Sequence, residues 1–208
     1  MRKTRAHRWY LDIMSPNTKG QRFAWLDPTS IYINGDAYIA LLNDLTSELK
    51  EIKFDVVAGI DAMGFVLGAA IATRLGVGFL PIRKEGKLCV KTDSVSFVNY
   101  SGKRQKMEMR KPAFASGTRV LIVDQWVETG GTMEAAISLV KRQEGKVVGI
   151  TAIAMEENKR TENIRANYPV ITAVLPGTKY QKQCNFQHLQ SFAEFKPEMA
   201  FPKRTSKN

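Results

Sequence analysis

The chain is short of the residues on which thiol, imidazole and metal chemistry depend: its 208 residues include two cysteines and two histidines. Cys89 and Cys184 lie far apart and show no metal-ligand spacing, so they read as reduced bystander thiols and not as a disulfide or a zinc site. His7 and His188 fall in terminal segments, which leaves little material for a histidine-based active site. No apolar run is long enough to cross a membrane, since the longest apolar region, residues 54–72, is broken by Asp55 and Asp61. The basic opening of the chain is followed by Trp9-Tyr10-Leu11-Asp12, not by the apolar core of a signal peptide. Internal repeats and low-complexity linkers are also missing. Together these absences predict a cytoplasmic protein with no membrane association and, at this length, one domain by default.

Acids are the scarcer charge, 20 against 31 lysines and arginines, for a net charge of +11. Three readings of that excess stay open: a solvated surface, a field that steers a polyanionic substrate, or a nucleic-acid footprint. Basic residues gather at the first eight positions, at 83–91, at 103–111 and at 196–207. The two internal clusters fall in expected loops beside the phosphate-binding segment described next, so attraction of a substrate accounts for them without nucleic acid.

That segment is Val120-Leu121-Ile122-Val123-Asp124-Gln125-Trp126-Val127-Glu128-Thr129-Gly130-Gly131-Thr132. Four apolar residues suit a parallel strand covered on both faces, and Asp124 emerges at its carboxyl end, where open α/β sheets bind ligands. Glycines let backbone approach an anion, threonine hydroxyls donate to it, and the first N–H groups of a following helix point at it. Asp124 and Glu128 do not favour a phosphate; ribose hydroxyls, a base or a bound cation are their candidate partners. A strand, a turn and a helix start also describe many α/β proteins, so spacing alone leaves phosphate binding open.

Around this segment the pattern alternates. Tyr38, Leu41, Leu42, Leu45 and Leu49 recur at helical spacing after Asn34. A strand is predicted at 54–59, a loop at 60–64, a slim helix at 65–75, a strand at 77–82 and a charged turn at 83–87. A projecting hairpin follows from 94–100 and 104–109. Thr132 is the predicted cap of a helix ended by Gly145; a strand at 146–155, a polar helix at 157–167 and a last strand at 170–175 complete the core. Strands alternating with helices predict an α/β fold with a right-handed, doubly wound parallel sheet. Phe186, Leu189, Phe192 and Phe195 suggest a further helix in the tail.

The thirteen residues of the phosphate segment resemble the ribose-5-phosphate motif of type I phosphoribosyltransferases, enzymes that use 5-phosphoribosyl-1-pyrophosphate (PRPP). A second block, residues 57–68 continuing through Leu75-Gly76-Val77-Gly78 to Leu88, is similar to adenine phosphoribosyltransferases, and the likeness runs over roughly 25–155. It implies a purine phosphoribosyltransferase of purine salvage: a ring nitrogen attacks the anomeric carbon of PRPP, pyrophosphate leaves with Mg2+, and a nucleotide monophosphate forms, with adenine the default base. It also implies a small hood with an arm over 1–35, a core over 36–176, a C-terminal extension over 177–208, a mobile loop and a homodimer.

By resemblance, Asp124 and Gln125 face the ribose, Glu128, Thr129, Gly130, Gly131 and Thr132 lie along the 5-phosphate side, and Asp61, Ala62, Met63 and Gly64 hold pyrophosphate, often through a cis peptide. Arg83, Lys84 and Lys87 neutralise the leaving group, although a solvated basic turn reads equally well from the residues alone. Trp25, Leu26 and Asp27 align with the base-covering hood, and Ser96, Asn99 and Tyr100 with the mobile loop. Asp124 and Glu128 are the catalytic candidates; Glu128 is either the proton-handling group on the purine side or a structural acid at a helix start. No residue is assigned as a direct metal ligand.

Four positions depart from the family pattern. Met63 and Leu26 stand where arginine is usual, Gln125 replaces the second of two adjacent acids, and Asn99 replaces a glutamate. Residues 95–102 are also similar to the corresponding segment of bacterial purine repressors, which bind PRPP without catalysis. The competing expectation is therefore a catalytically silent PRPP-binding regulator.

Overall fold

The computed structural model describes residues 8–16, 26–98 and 102–185. The chain forms two compact units, one of residues 1–44 with 173–208 and the other of residues 45–172.

In the first unit a 3-10 turn, Trp9–Leu11, precedes the short antiparallel strands β1 (Ser15–Pro16) and β2 (Leu26–Asp27). Helix α1 (Thr29–Ile33) starts where Asp27 accepts the backbone N–H and the hydroxyl of Thr29, at 2.9 and 2.5 Å. Helix α2 (Gly35–Leu49) starts where Asn34 Oδ1 accepts the Ala37 N–H at 3.1 Å. Ala37, Leu41, Leu45 and Leu49, four apart, form its buried stripe; its last turn belongs to the second unit. Arg8 pairs with Asp44 at 2.8 Å and donates to the Ala173 carbonyl, tying the two stretches of this unit together. The final helix of the described chain, Lys179–Asn185, also lies here, and Tyr180 donates to Asp12 at 2.6 Å.

The second unit is a seven-stranded sheet with helices. Its elements in chain order are β3 (Val56–Ile60), α3 (Met63–Leu75), β4 (Gly78–Lys84), β5 (Thr92–Val98), β6 (Arg104–Arg110), β7 (Arg119–Val123), β8 (Trp126–Val127), α4 (Gly131–Arg142), β9 (Lys146–Ala152), β10 (Ala154–Met155), α5 (Lys159–Asn167) and β11 (Val170–Thr172). The order across the sheet is β11-β9-β7-β3-β4-β6-β5. The first five strands are parallel, and Val120, Leu121, Ile122 and Val123 of β7 are all fully buried at the centre.

Two features of this order position a site. From β3 the chain crosses through α3 to β4 on one side, whereas from β7 it crosses through α4 to β9 and through α5 to β11 on the other. The strand order therefore reverses between β3 and β7, and a crevice opens at the carboxyl ends of that pair. The β5–β6 hairpin, instead of standing free, adds two antiparallel strands to the β4 edge, with Arg83 opposite Glu108 and Lys84 opposite Met107. Arg83 and Lys84 consequently lie at the end of a strand that runs two residues beyond the predicted one. Arg142, in the last turn of α4, clamps the hairpin by pairing with buried Asp93 at 2.8 Å and donating to the Ser94 carbonyl at 3.0 Å.

Other local expectations change for identifiable reasons. The strand expected over 146–155 breaks at Ile153, whose N–H goes to the Gln125 carbonyl; the chain steps sideways, and β10 pairs in parallel with β8 as a separate two-stranded ribbon. Gly130, with φ of 84°, rather than Thr132 caps α4, and Glu144, with φ of 62°, takes the left-handed turn after it. Asn158 opens α5 with a capping box closed by Thr161. The tail helix suggested by Phe186, Leu189, Phe192 and Phe195 lies outside the described residues.

Candidate functional site

The crevice at the switch point is a cavity of about 240 Å³ lined by Ile60, Asp61, Lys84, Phe97, Gln105, Met107, Asp124 and Thr132. Three sequence-predicted groups meet here: the loop after β3, the basic end of β4, and the turn between β7 and α4. The peptide between Asp61 and Ala62 is cis. Gly64, in the first turn of α3, fits so closely under β7 that an added Cβ would stand 2.6 Å from the Val123 carbonyl oxygen and 3.1 Å from Asp124 Cα. Glycine thus brings the 61–64 loop against the strand that presents Asp124.

Asp124 is partly exposed at the surface of the cavity, yet its carboxyl is packed deeply. Loss of water is the main influence and pushes it up to about 7, against the backbone N–H groups of Gln125 and Trp126, which pull it down. The Gln125 N–H meets Asp124 Oδ1 at 2.7 Å. Gln125 Oε1 is buried without a hydrogen-bond partner, an acceptor that a ligand hydroxyl would satisfy.

The amino end of α4 has the form of an anion cradle. Its Gly130 cap supplies no side chain to occupy the first-turn N–H groups. Gly131 allows close approach from above: a Cβ there would lie 2.6 Å from the Val98 carbonyl oxygen and 3.1 Å from an Arg160 guanidinium nitrogen. Arg160 also pairs with Glu134 in this first turn at 3.1 Å.

On the β4 side, Arg83 pairs with Asp61 at 3.3 Å, stands over the Phe65 ring at 5.9 Å and donates to the Lys87 carbonyl at 3.2 Å. A guanidinium is thereby fixed beside the loop whose own residue 63 is methionine. Lys84 lines the cavity. The backbone of the following turn is held by buried Glu108, which accepts from the N–H groups of Lys87 and Leu88 at 2.8 Å each. Burial would raise that carboxyl, but these donors with those of Gly86 and Thr92 outweigh it and hold the group below the usual range.

Glu128 lies on the far side of Asp124, half-buried, its carboxyl raised by burial. The Asn158 amide donates to its backbone carbonyl at 2.8 Å. Beside it comes Glu156, which belongs to neither sequence motif. Its backbone N–H bonds the Val127 carbonyl at 2.9 Å, and its carboxylate accepts from the Trp126 indole at 2.8 Å. Burial lifts Glu156 to about 7; the indole bond opposes this and the neighbouring Glu128 charge adds to it.

The hairpin contributes differently from the expectation. Ser96 is exposed, whereas its neighbour Phe97 lines the cavity with Gln105 and Met107 of the paired strand. The two-residue alternation of Val95 and Phe97 against Ser94 and Ser96 carries that signal. Asn99, Tyr100 and Trp25 lie outside the described residues. In the first unit Leu26 is buried, and Asp27 is engaged by Thr29.

Comparison with known proteins follows the same outline. Residues 29–181 match the phosphoribosyl transferase domain family. The adenine phosphoribosyltransferase of Chromohalobacter salexigens is 39% identical over 127 residues, 61% of this chain and 70% of the relative; that of Neisseria meningitidis serogroup C is 39% identical over 142 residues, 68% and 75%. Among solved structures, adenine phosphoribosyltransferase from Thermoanaerobacter pseudethanolicus superposes with a TM-score of 0.70 at 32% identity, covering 76% of this chain and 92% of its own. The Saccharomyces cerevisiae enzyme, complexed with an imino-altritol bisphosphate and adenine, gives 0.70 at 28% identity, with 81% and 100% covered.

Proposed function

We infer the reaction from a plain premise: the chain belongs to the phosphoribosyl transferase family and, within it, to the adenine phosphoribosyltransferases. It is a purine phosphoribosyltransferase, a pentosyltransferase that moves ribose 5-phosphate from PRPP to a purine base and releases pyrophosphate. The observation that carries the assignment of its site is the switch-point cavity, which gathers Asp61, Lys84, Asp124 and Thr132 from three separate segments.

In this reading Asp124 and the orphan oxygen of Gln125 take ribose hydroxyls. The first-turn N–H groups of α4, with Thr129 and Thr132, take the 5-phosphate. The 61–64 loop, Lys84 and Lys87 take pyrophosphate, and Arg83 braces that loop through Asp61. Such a site works by positioning and by stabilising charge on the departing pyrophosphate while positive charge grows on the ribose. Glu128 handles the purine proton, with Trp25, Leu26 and Asp27 on the base side and Ser96, Asn99 and Tyr100 in the covering loop.

Mg2+ belongs to the same reading. Among the described residues no cluster of three or more His, Cys, Asp or Glu side chains is arranged to hold a metal. The oxygen donors that line the cavity, Asp61 and Asp124, would suit a cation carried on the substrate's pyrophosphate, whose charge it would screen. A homodimer and a cytoplasmic setting complete the proposal; no described helix is long and apolar enough to cross a membrane. The silent PRPP binder, suggested by Met63, Asn99 and Gln125, is the less favoured reading because the relatives bear the names of enzymes.

The test is incubation with Mg2+, PRPP and each of adenine, hypoxanthine, guanine and xanthine, with pyrophosphate and nucleotide measured. Base-dependent release, abolished by Asp124→Asn with Thr129→Ala, is expected. Thermal stabilisation by PRPP with no release for any base would overturn it in favour of the silent binder, and steeply salt-dependent oligonucleotide binding with indifference to PRPP would overturn both.

A further inference from the structure

We propose that Arg160, a residue of α5, is a ligand of the substrate's 5-phosphate and supplies the positive charge that the β7–α4 turn itself lacks. The proposal rests on the phosphoribosyl-transfer reading above and adds to it a binding residue from outside the turn.

Charge poses the problem. Residues 124–134 hold Asp124, Glu128 and Glu134 but no lysine or arginine. A phosphate monoester brings close to two negative charges at neutral pH, while the amino end of a helix offers the equivalent of about half a positive one. Backbone N–H groups and threonine hydroxyls give direction without net charge. Glu134 worsens the mismatch, because it stands in the first turn of α4, where the phosphate would be received. A cation from another element would make up the difference.

The packing of α5 on the turn provides one. A Cβ at Gly130 would stand 3.1 Å from Cγ and Cδ of Arg160 and 3.3 Å from Cδ1 of Ile164, and a Cβ at Gly131 would stand 3.1 Å from Arg160 Nη1. The side chain therefore runs along both glycines and carries its guanidinium over the first residue of α4. Glu134 takes the Nε edge at 3.1 Å, which orients the fork and directs Nη1 toward the turn. A planar guanidinium has donors enough to hold a carboxylate on one edge and a phosphate oxygen on another. Its backbone is anchored to the same place: Asn158 accepts the Arg160 N–H at 3.1 Å and donates to the Glu128 carbonyl at 2.8 Å. One side chain thus ties the start of α5 to the turn. Thr129, Glu134, Asn158 and Arg160 line a depression together, while Thr132 of the same turn lines the cavity.

The experiment titrates the intact protein and its Arg160→Gln, Arg160→Lys and Glu134→Gln variants with ribose 5-phosphate and, separately, with inorganic pyrophosphate and Mg2+. For Arg160→Gln, roughly 10- to 100-fold weaker binding of ribose 5-phosphate is expected, with a matching rise in KM for PRPP and with pyrophosphate binding unchanged. Arg160→Lys keeps the charge but loses the fork; it should weaken ribose 5-phosphate several-fold, and it carries the test should Arg160→Gln fail to fold. Glu134→Gln separates a ligand from a brace. Removing a competing carboxylate should leave ribose 5-phosphate bound as tightly or more tightly, whereas a purely structural ion pair fails alike from either side. Unchanged ribose 5-phosphate binding in the Arg160 variants, equal losses for both ligands, or equal losses in Arg160→Gln and Glu134→Gln would overturn the proposal. Should the unmodified protein bind ribose 5-phosphate and PRPP yet form no nucleotide with any base, the transfer reading fails alone, and the titrations still decide the role of Arg160. If it binds neither, both readings fail.

Discussion

The two flanks of strand β7 solve opposite electrostatic problems. On the β3–β4 flank the charges are cationic and wet: Lys84 and Lys87 are exposed, and Arg83 is tied down by Asp61. On the β8–β10 flank they are acidic and partly withdrawn from water: burial raises Glu128 and lifts Glu156 to about 7, as it lifts Asp124 to about 7 at the end of β7 between the flanks. Exposed lysines keep their charge at little cost, whereas buried acids are tolerated by holding protons longer. The lesson is a division of labour across one strand. In the proposed reading a polyanion is drawn to one side, and a group able to share hydrogen bonds and a proton is received on the other.

The largest expected break in that division is Gly64→Ala. A new Cβ would stand 2.6 Å from a backbone oxygen of β7, so the 61–64 loop must back away from Asp124. A loss on the order of 10³-fold in kcat/KM for PRPP is expected, because a displaced cradle fails to follow the leaving group; steady-state kinetics at saturating adenine measures it. Lys84→Ala removes one cation without moving backbone and should cost on the order of 10²-fold in the same constant. The effect should shrink in high salt, as screening already weakens an exposed charge. Near-normal kinetics for Lys84→Ala would remove the cationic flank from the mechanism.

The same comparison explains what was legible in the sequence. The β7 run, the glycine-rich turn and the helix after it are contiguous, so the strand, turn and helix start proposed for the phosphate could be read from thirteen residues. Arg83 and Lys84 were also visible, but as a turn, because the antiparallel partner that extends β4 is more than twenty residues away. The acidic flank hid for a similar reason. Lys146 to Met155 reads as one strand, and only the diversion of the Ile153 N–H to the Gln125 carbonyl produces the ribbon that sets Glu156 beside Glu128. Phe97, Gln105 and Met107 face the cavity through a two-residue alternation too weak to choose a face before the hairpin's partner is known.

A smaller effect sharpens the contrast from the wet side. Glu108 is almost completely buried although it serves an exposed turn, and its carboxylate is stabilised by N–H groups of the segment bearing Lys87. Glu108→Ala leaves those donors without their acceptor, and a destabilisation of about 2 kcal/mol is expected in urea unfolding at pH 7. As its folded pKa is lowered, Glu108 contributes stability above the unfolded carboxylate pKa and loses it as pH falls through the folded value. The variant's deficit should therefore narrow in acid.

The acidic flank should show the reverse slope. Asp124 and Glu156 each rise to about 7 in the folded protein, so between their unfolded and folded pKa values the native state binds more protons than the unfolded chain. Their contribution to stability is then fully present below about pH 4 and is lost as pH rises to about 7. Asp124→Asn and Glu156→Gln remove that dependence, because an amide has no proton to lose. Once part exposure of these groups is allowed for, the ligand-free Asp124→Asn variant should be on the order of 2 kcal/mol less sensitive to the change from pH 4.5 to pH 7.5 than the unmodified protein. Urea midpoints at the two pH values measure the difference. Parallel shifts in the two proteins would mean that Asp124 stays ionised throughout, leaving the two flanks distinguished by sign of charge alone.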